Sequence, residues 1–175
     1  MKSQQQDPIY TQISQVKDAV AEVLEHAKKL GATGAEAAMS STSGLSVSTR
    51  MGEVETIEFN QDGGLGISVY VGNHKGSAST ADLNPKTLRT VVEKAIDIAK
   101  FTSDDPHNGV ADKELLEFAP LDLDLYHPWD VSPEQGIELC HSAEQAALNA
   151  DERIVNSDGA SFSSHQGLRV YGNSH

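Results

Sequence analysis

Apolar residues recur at two different periods along the 175 residues of the chain. Three stretches repeat at steps of three and four, typical of helices with one apolar face, and the stretches between them alternate at steps of two, typical of strands. The predicted order is helix, strands, helix, linker, helix, strands. Because the strands cluster instead of alternating one by one with helices, we predict an α+β fold, a curved, mainly antiparallel sheet with three helices packed on it.

Each predicted helix begins at a proline that follows a capping residue, namely Asp7-Pro8, Asn84-Pro85 and Ser132-Pro133. Gly31 is the predicted C-cap of the first helix. The residues predicted to face the sheet are Ile9, Ile13, Val16, Val20, Val23, Ala27 and Leu30 in the first helix, Leu88, Val91, Val92, Ala95, Ile98 and Ala99 in the second, and Ile137, Cys140, Ala143 and Ala147 in the third.

The strand pattern is densest from Thr49 to Thr80, which predicts consecutive antiparallel strands joined by tight turns. Glycine and asparagine place these turns at 50–53, 60–64 and 72–76, with a short last strand from Ser77. Further strands are predicted at 35–43, 45–49, 154–155, 160–164 and 168–171, with a turn at 165–167.

The middle strand of this stretch has one apolar face and one small, polar face. Leu65, Ile67, Val69 and Val71 alternate with small or polar residues. Glycine inside a strand often marks close approach of another backbone. The small face therefore packs against a helix or strand, or it is a surface on which an extended peptide or partner strand docks. The candidate surface consists of Gly64, Gly66, Ser68, Tyr70, Ser77 and Ser79, and Gly72 and Gly76 are predicted to share its face.

Charge and composition exclude some classes of partner. The formal net charge is −13, which disfavours binding to nucleic acid or to an anionic membrane surface. The first residues have no apolar signal-peptide core, and no run reaches the roughly 20 apolar residues of a membrane span. We therefore expect a cytoplasmic protein that binds neither nucleic acid nor membrane.

No catalytic or metal-binding motif is evident. The seven histidines form neither HExxH nor a helical pair at i and i+4. Glu138, His141 and Glu144 are spaced three apart on the third helix, and we interpret them as a solvated face. Cys140, the single cysteine, lies on the apolar stripe and is predicted to be a core residue. The sequence thus assigns no catalytic residue and no metal ligand.

Four segments together resemble one protein family. They are TRMGEVETIEFNQDGGLGISVYVGNHKGSAST, TSDDPHNGVADKELL, LDLDLYHPWDVSPEQGIEL and SFSSHQGLRVYGNSH. In this order they are similar to the amino-terminal domain of PmbA-type (TldE) subunits of the TldD/PmbA metallopeptidase family, from about Ile13 to His175. The resemblance implies that residues 1–175 are a single amino-terminal α+β domain of a longer protein, without its carboxyl-terminal β-rich domain.

The resemblance also implies a function. In this family the TldD-type subunit carries the zinc on an HExxxH helix, and the PmbA-type subunit pairs with it around a chamber for unfolded peptides. We therefore expect a part of a metallopeptidase that contributes chamber wall and subunit interface, binds no zinc itself and is inactive alone. Its expected partners are a TldD-like subunit and unfolded peptides, and a homo-oligomer is a further option. The alternative is a structural or peptide-binding domain with no enzymatic context.

Overall fold

A computed structural model describes residues 8–119 and 121–175 of the chain. Its three helices and four-stranded antiparallel sheet, which is not closed, confirm the α+β prediction. No helix within these ranges is long and apolar enough to cross a membrane. The elements are α1 (Pro8–Lys29), β1 (Gly34–Arg50), β2 (Glu53–Val71), β3 (His74–Thr80), α2 (Pro85–Ala99), a short 3-10 helix (Lys113–Leu115), α3 (Pro133–Leu148) and β4 (Ala160–Asn173), and the strand order is β3-β2-β1-β4.

The chain divides into two compact units. Unit 1 comprises Met1–Ser41, Gly63–Leu121 and Leu168–His175, and unit 2 comprises Thr42–Asp62 and Asp122–Gly167. Strands β1, β2 and β4 each contribute residues to both units. The expectation of one amino-terminal domain within a longer protein stays a prediction.

The predicted end of α1 is confirmed. Gly31 has a φ of 94°, which glycine adopts without the penalty of a side chain. The Ala32 N–H donates to the Ala27 carbonyl at 3.0 Å, closing the helix as a Schellman motif. Leu30, predicted to face the sheet, is instead 40% exposed at this end of the helix. Asp7, the predicted N-cap, lies outside the described residues.

The predicted starts of the other two helices are also confirmed. The Asn84 side chain accepts a hydrogen bond from the Lys86 N–H at 3.0 Å. Ser132 and Gln135 form a capping box, in which each side chain accepts from the other residue's backbone N–H. Local capping chemistry therefore fixes both helix starts.

Some residues of α2 and α3 predicted to face the sheet do not. Ile98 is 44% exposed, and Ile96 is buried instead. Ala143 and Ala147 of α3 are exposed, and Glu144 is buried. Successive residues of a helix are turned by about 100°, so a stripe misplaced by one residue changes which side chain enters the core.

The turn predicted at 60–64 is wrong, because β2 continues through it. A Cβ on Gly63 would lie 3.0 Å from the Ser40 carbonyl oxygen, and one on Gly64 would lie 3.0 Å from that of Thr80. These glycines therefore permit close approach of the neighbouring strands, and they do not form a turn.

The turn predicted at 165–167 is also wrong, because β4 continues through it. The His165 ring occupies the space that a side chain on Gly44 would need. This cross-strand contact continues the sheet where the local sequence indicates a turn. The strands predicted at 35–43 and 45–49 are likewise one strand, β1. The strand predicted at 154–155 is wrong, because the chain is irregular there and β4 begins at Ala160.

The two remaining predicted turns are confirmed in part. Met51 and Gly52 have φ values of 50° and 80°, as in a two-residue type I′ hairpin. Gly72, with a φ of 59°, lies in the next turn. That turn is shorter than predicted, since β3 begins at His74 and not at Ser77.

Each unit has its own hydrophobic core. In unit 1, helices α1 and α2 pack on residues of β1 and β2 such as Ala37, Leu65 and Ile67. In unit 2, Leu45 and Val47 of β1 pack with Cys140 of α3. The smaller core of unit 2 is completed by the partly buried Ile137, Ala160 and Phe162.

Candidate functional site

In unit 1 one face of the sheet is free of α1 and α2. Leu65, Ile67 and Val69 of β2 enter the core below the helices. Because successive side chains of a strand point to opposite faces, the residues between them lie on the other face. We call this surface the platform and define it by Glu36, Gly64, Gly66, Ser68, Tyr70, Ser77, Ser79, Arg169 and Tyr171. Two concavities lie along it, with volumes of about 490 and 610 Å³.

The floor of the platform is small and polar. Ser68 pairs with Ser77 across β2 and β3, and Gly66 pairs with Ser79. The Ser68 and Ser77 hydroxyl oxygens are 3.0 Å apart and share a hydrogen bond. A Cβ added to Gly66 would meet no atom within 4 Å. The structure therefore brings four of the predicted residues together on an open surface.

The other predicted glycines lie in different surroundings. Gly64 lines the second concavity beside Thr80. Gly76 faces α2, since a Cβ there would lie 2.6 Å from the Ala99 backbone N. The prediction that Gly76 shares the face of the platform is therefore wrong, and its reason for being glycine is close helix–strand packing. Gly72 belongs to the turn before β3.

Tyr70 and Glu36 form one end of the platform. The Tyr70 side chain is 4% exposed, and its hydroxyl donates to Glu36 Oε1 at 3.0 Å. Burial, followed by the hydrogen bond and charge of Glu36, raises the pKa of Tyr70 to about 12. The Tyr171 hydroxyl donates to Glu36 Oε2 at 3.0 Å. Both carboxylate oxygens are therefore engaged, one by Tyr70 and one by Tyr171.

Arg169 lies on the platform but does not belong to the candidate surface predicted from the sequence. It lies on β4, lines both concavities and is exposed. Within the described ranges its guanidinium has no hydrogen bond or ion pair. The alternation of Leu168 and Val170 with Arg169 and Tyr171 predicts a shared face for the latter two. The sequence pattern does not indicate that β4 pairs with β1, and this pairing brings Arg169 to the platform.

The platform therefore offers hydroxyl donors and acceptors, a free cation and a floor without bulky side chains. These groups can bind the backbone and carboxylates of an extended polypeptide. Across 8–119 and 121–175, no three His, Cys, Asp or Glu side chains gather so as to hold a metal ion. The described residues do not fit a zinc site, whose ligands are three or four such groups.

Unit 2 holds a buried carboxylate. Glu144 is 2% exposed and accepts hydrogen bonds from the Met51 and Gly52 N–H groups at 2.8 and 3.0 Å. These two donors hold the pKa of Glu144 below its ordinary value. The interpretation of Glu144 as part of a solvated face is wrong, although Glu138 is exposed. Glu144 lies one turn beyond Cys140 on the buried side of α3, where it binds the hairpin turn.

Cys140 is a core residue, as predicted. Its side chain is 2% exposed, and its thiol donates a long hydrogen bond of 3.7 Å to the Val47 carbonyl oxygen. Burial raises the pKa of the thiol, which disfavours the reactive thiolate.

A further concavity of about 680 Å³ lies in unit 2. Its lining includes Phe59, Gln61, Trp129 and His165. The Phe59 side chain is 72% exposed, and the Trp129 ring meets Phe162 edge to face with centroids 5.7 Å apart. Aromatic rings at such a cavity provide apolar contact area for another side chain.

Two family models match the chain. The model of PmbA/TldA metallopeptidase domain 1 matches residues 35–99, and that of the PmbA/TldA metallopeptidase central domain matches residues 126–175. Together with the α+β fold, these matches define the class as a metallopeptidase family. The chain belongs to the PmbA/TldD metallopeptidase family.

Two relatives named as metalloprotease PmbA or its homolog support this family membership. Metalloprotease PmbA of Escherichia coli O157:H7 is 58% identical over 160 residues, which are 91% of this chain and 35% of the relative. A Metalloprotease PmbA homolog of Haemophilus influenzae is 53% identical over 164 residues, 94% of this chain and 36% of the relative. The chain thus spans about a third of the length of these relatives.

Solved structures share the fold. A putative modulator of DNA gyrase from Bacteroides thetaiotaomicron has a TM-score of 0.78 and 28% identity, covering 90% of this chain and 36% of that one. TldE from Thermococcus kodakarensis has a TM-score of 0.68, covering 90% of this chain and 35% of that one. Its identity of 16% supports the fold alone.

Proposed function

We propose that this chain is part of a PmbA-type subunit of a cytoplasmic TldD/PmbA complex that degrades or processes unfolded peptides. The observation that carries the proposal is the 58% identity to Metalloprotease PmbA over 91% of the chain. In this proposal the chain contributes chamber wall and subunit interface, and the catalytic zinc belongs to a TldD-type partner. The absence of a fitting ligand cluster in the described residues is compatible with that division.

Co-purification tests the proposed partnership. The tagged chain is used as bait for a TldD-type subunit, and an unrelated domain with the same net charge of −13 serves as the control for non-specific binding. We expect the TldD-type subunit with the chain and not with the control. Equal recovery with both baits would contradict the partnership.

Within this proposal the platform is the peptide-binding part of the chamber wall. An extended peptide would lie over Gly66, with its backbone near the Ser68 and Ser77 hydroxyls and a carboxylate at Arg169. The open space above Gly66 and the free guanidinium of Arg169 support this placement. Hydrogen bonds from small platform side chains to a peptide backbone depend little on the peptide's sequence. They therefore suit a surface that binds unfolded peptides of many sequences.

A bulky residue on the platform tests this placement. Ser77 is exposed, so Ser77→Trp keeps the core intact and fills the space over the floor. Gln15→Trp, on the exposed side of α1, is the matched control. We expect Ser77→Trp to weaken binding of a labelled unfolded peptide by about tenfold or more, as measured by fluorescence anisotropy, with the control unchanged. Equal affinities of both variants, with native circular dichroism, would exclude the platform.

A further inference from the structure

Strand β2 extends well beyond its neighbour β3. The pairing of the two strands runs from Leu65 opposite Thr80 to Val71 opposite His74. The earlier part of β2, Glu53–Gln61, therefore has no strand on the side away from β1 within the described residues. We call Glu53–Gln61 the free edge. All nine of its residues are exposed.

The free edge lacks two common protections of an edge strand, and its charges are all carboxylates. Outward N–H and C=O groups of such a strand can pair with another chain, and proteins block this with charged residues, lysine above all, with proline or with a covering segment. The free edge contains neither lysine nor proline. It also exposes Val54, Ile57 and Phe59, which are 43%, 45% and 72% exposed. These properties favour a strand that receives a partner.

The order of residues along the free edge indicates the chemistry of that partner. Glu53, Glu55, Ile57 and Phe59 alternate along the strand and so share one face, with carboxylates at one end and apolar side chains at the other. Glu58 adds a third carboxylate, and no Lys or Arg balances them within the edge. A second copy of the same edge would add three more carboxylates, so charge disfavours self-pairing.

The apolar end of the free edge adjoins a cavity. Phe59 and Gln61 line the concavity of about 680 Å³ that also contains Trp129. In strand addition, backbone hydrogen bonds give affinity and pockets for alternate side chains give specificity. This cavity can accept one apolar side chain of a docked strand.

We propose that the free edge binds an extended strand of a different polypeptide that is basic at one end and apolar at the other. The basic end pairs with Glu53 and Glu55, and the apolar end packs on Ile57 and Phe59 with one side chain in the adjoining cavity. This inference involves other residues than the platform and does not depend on it.

A designed peptide tests the backbone pairing. Because β2 pairs antiparallel with β3, the probe is fluorescein-labelled Val-Thr-Val-Thr-Lys-Thr-Lys, whose lysines reach Glu53 and Glu55 when it runs antiparallel to β2. Two further versions carry N-methyl groups on its odd or its even residues. One N-methylated version places its methyl groups against the edge, and we expect it to bind at least about tenfold more weakly than the other. Equal binding of both versions, or no binding of the unmethylated probe, would overturn the proposal.

Charge variants of the protein test the orientation. We expect Glu53→Gln with Glu55→Gln to weaken probe binding by about tenfold and to reduce its dependence on salt. Asp18→Asn with Glu25→Gln changes the net charge equally on the exposed side of α1 and should have no effect. An equal loss in both double variants would overturn the proposal, because only the overall charge would then matter.

Two further readouts distinguish the free edge from the platform and from self-association. Bound probe should slow hydrogen exchange within 53–61, and Ser77→Trp should leave probe affinity unchanged. Loss of probe binding in Ser77→Trp would assign the probe to the platform and overturn the proposal. Sedimentation of the chain as a dimer, with hydrogen exchange within 53–61 slowing as the protein concentration rises, would also overturn it, in favour of a second copy.

Discussion

Unit 1 and unit 2 are stabilised in different ways. Among its described residues, unit 1 buries sixteen apolar side chains between α1, α2 and the strands. Unit 2 buries three, Leu45, Val47 and Cys140, and adds a buried carboxylate, Glu144, that binds the β1–β2 turn. We infer that unit 1 depends chiefly on close packing, whereas unit 2 depends on a polar anchor and leaves apolar residues such as Phe59 available to partners.

The largest expected effect is in the packing of unit 1. Gly76→Ala would place a Cβ 2.6 Å from the Ala99 backbone N and closer still to the Ala95 carbonyl oxygen. Because neither helix backbone atom can move aside alone, β3 must separate from α2. We expect a loss of about 3 kcal/mol in the free energy of unfolding, measured by urea denaturation.

Gly66→Ala is the matched control for this prediction. Its Cβ would meet no atom within 4 Å, so the free energy of unfolding should change by less than about 0.5 kcal/mol. If the two alanine variants were equally stable, close packing of α2 on β3 would not be what stabilises unit 1.

The next effect concerns the polar anchor of unit 2. Glu144→Gln sets an amide NH₂ against one of the two N–H groups that the carboxylate binds, at Met51 or Gly52. We expect a lower Tm by calorimetry than in the wild type. Glu138→Gln, an exposed change on the same helix, should keep the wild-type Tm. If Glu144→Gln and Glu138→Gln had equal Tm values, the Glu144 carboxylate would not be what stabilises unit 2, and the proposed difference between the two units would be wrong.

The same anchor predicts a pH dependence. The pKa of Glu144 is lowered in the folded chain from its ordinary value of 4.5, chiefly by the Met51 N–H and then by that of Gly52. Its contribution is therefore fully present above about pH 4.5 and is lost as pH falls through the lowered pKa. Thermal melts from pH 7 to pH 3 should show a steeper loss in the wild type than in Glu144→Gln. Parallel curves would contradict the assignment.

Cys140 provides a probe for unit 2 alone. Because burial raises the pKa of its thiol, the native chain should react with a thiol reagent more than about tenfold more slowly than an exposed cysteine does. In low urea we expect labelling to begin before the hydrogen exchange of α1 and α2, measured segment by segment, becomes faster. Simultaneous transitions would show that the two units unfold together.

The smallest effect is expected at high pH in unit 1. The pKa of Tyr70 rises to about 12, mainly by burial and then by its hydrogen bond to Glu36. Because the folded state favours the neutral phenol, this contribution is complete below pH 10 and is lost as pH rises towards 12. Burial also raises the pKa of Tyr171, so absorbance titration should show two late phenols, of which Tyr70 is the later. Tyr70→Phe should remove the later one, and a titration curve unchanged by that substitution would contradict the assignment.

The parts of the fold that depend on local chemistry are predictable from the sequence. Asn84 and the Ser132 capping box start their helices through side chains two or three residues from their partners. A two-residue hairpin turn requires positive φ at its two central residues, and Met51 and Gly52 both have it. The resemblance to the TldD/PmbA family was also carried by residues along almost the whole chain, and the family models confirm it.

Features that depend on distant residues were not predictable. The glycines at 63–64 indicate a turn locally, but their neighbours Ser40 and Thr80 lie on other strands. Glu144 is buried because a hairpin more than ninety residues earlier supplies its donors. Arg169 joins the serines of the platform only because β4 lies at the far side of the same sheet.

The central claim for this chain is that it binds unfolded peptides without a metal ion and does not cleave them. One experiment tests this claim directly. The chain is incubated with a labelled unfolded peptide, with added zinc or with a chelator, and both anisotropy and the mass of the peptide are measured. We predict equal binding in the two conditions and an intact peptide throughout. Cleavage that requires zinc and occurs with this chain alone would contradict the account.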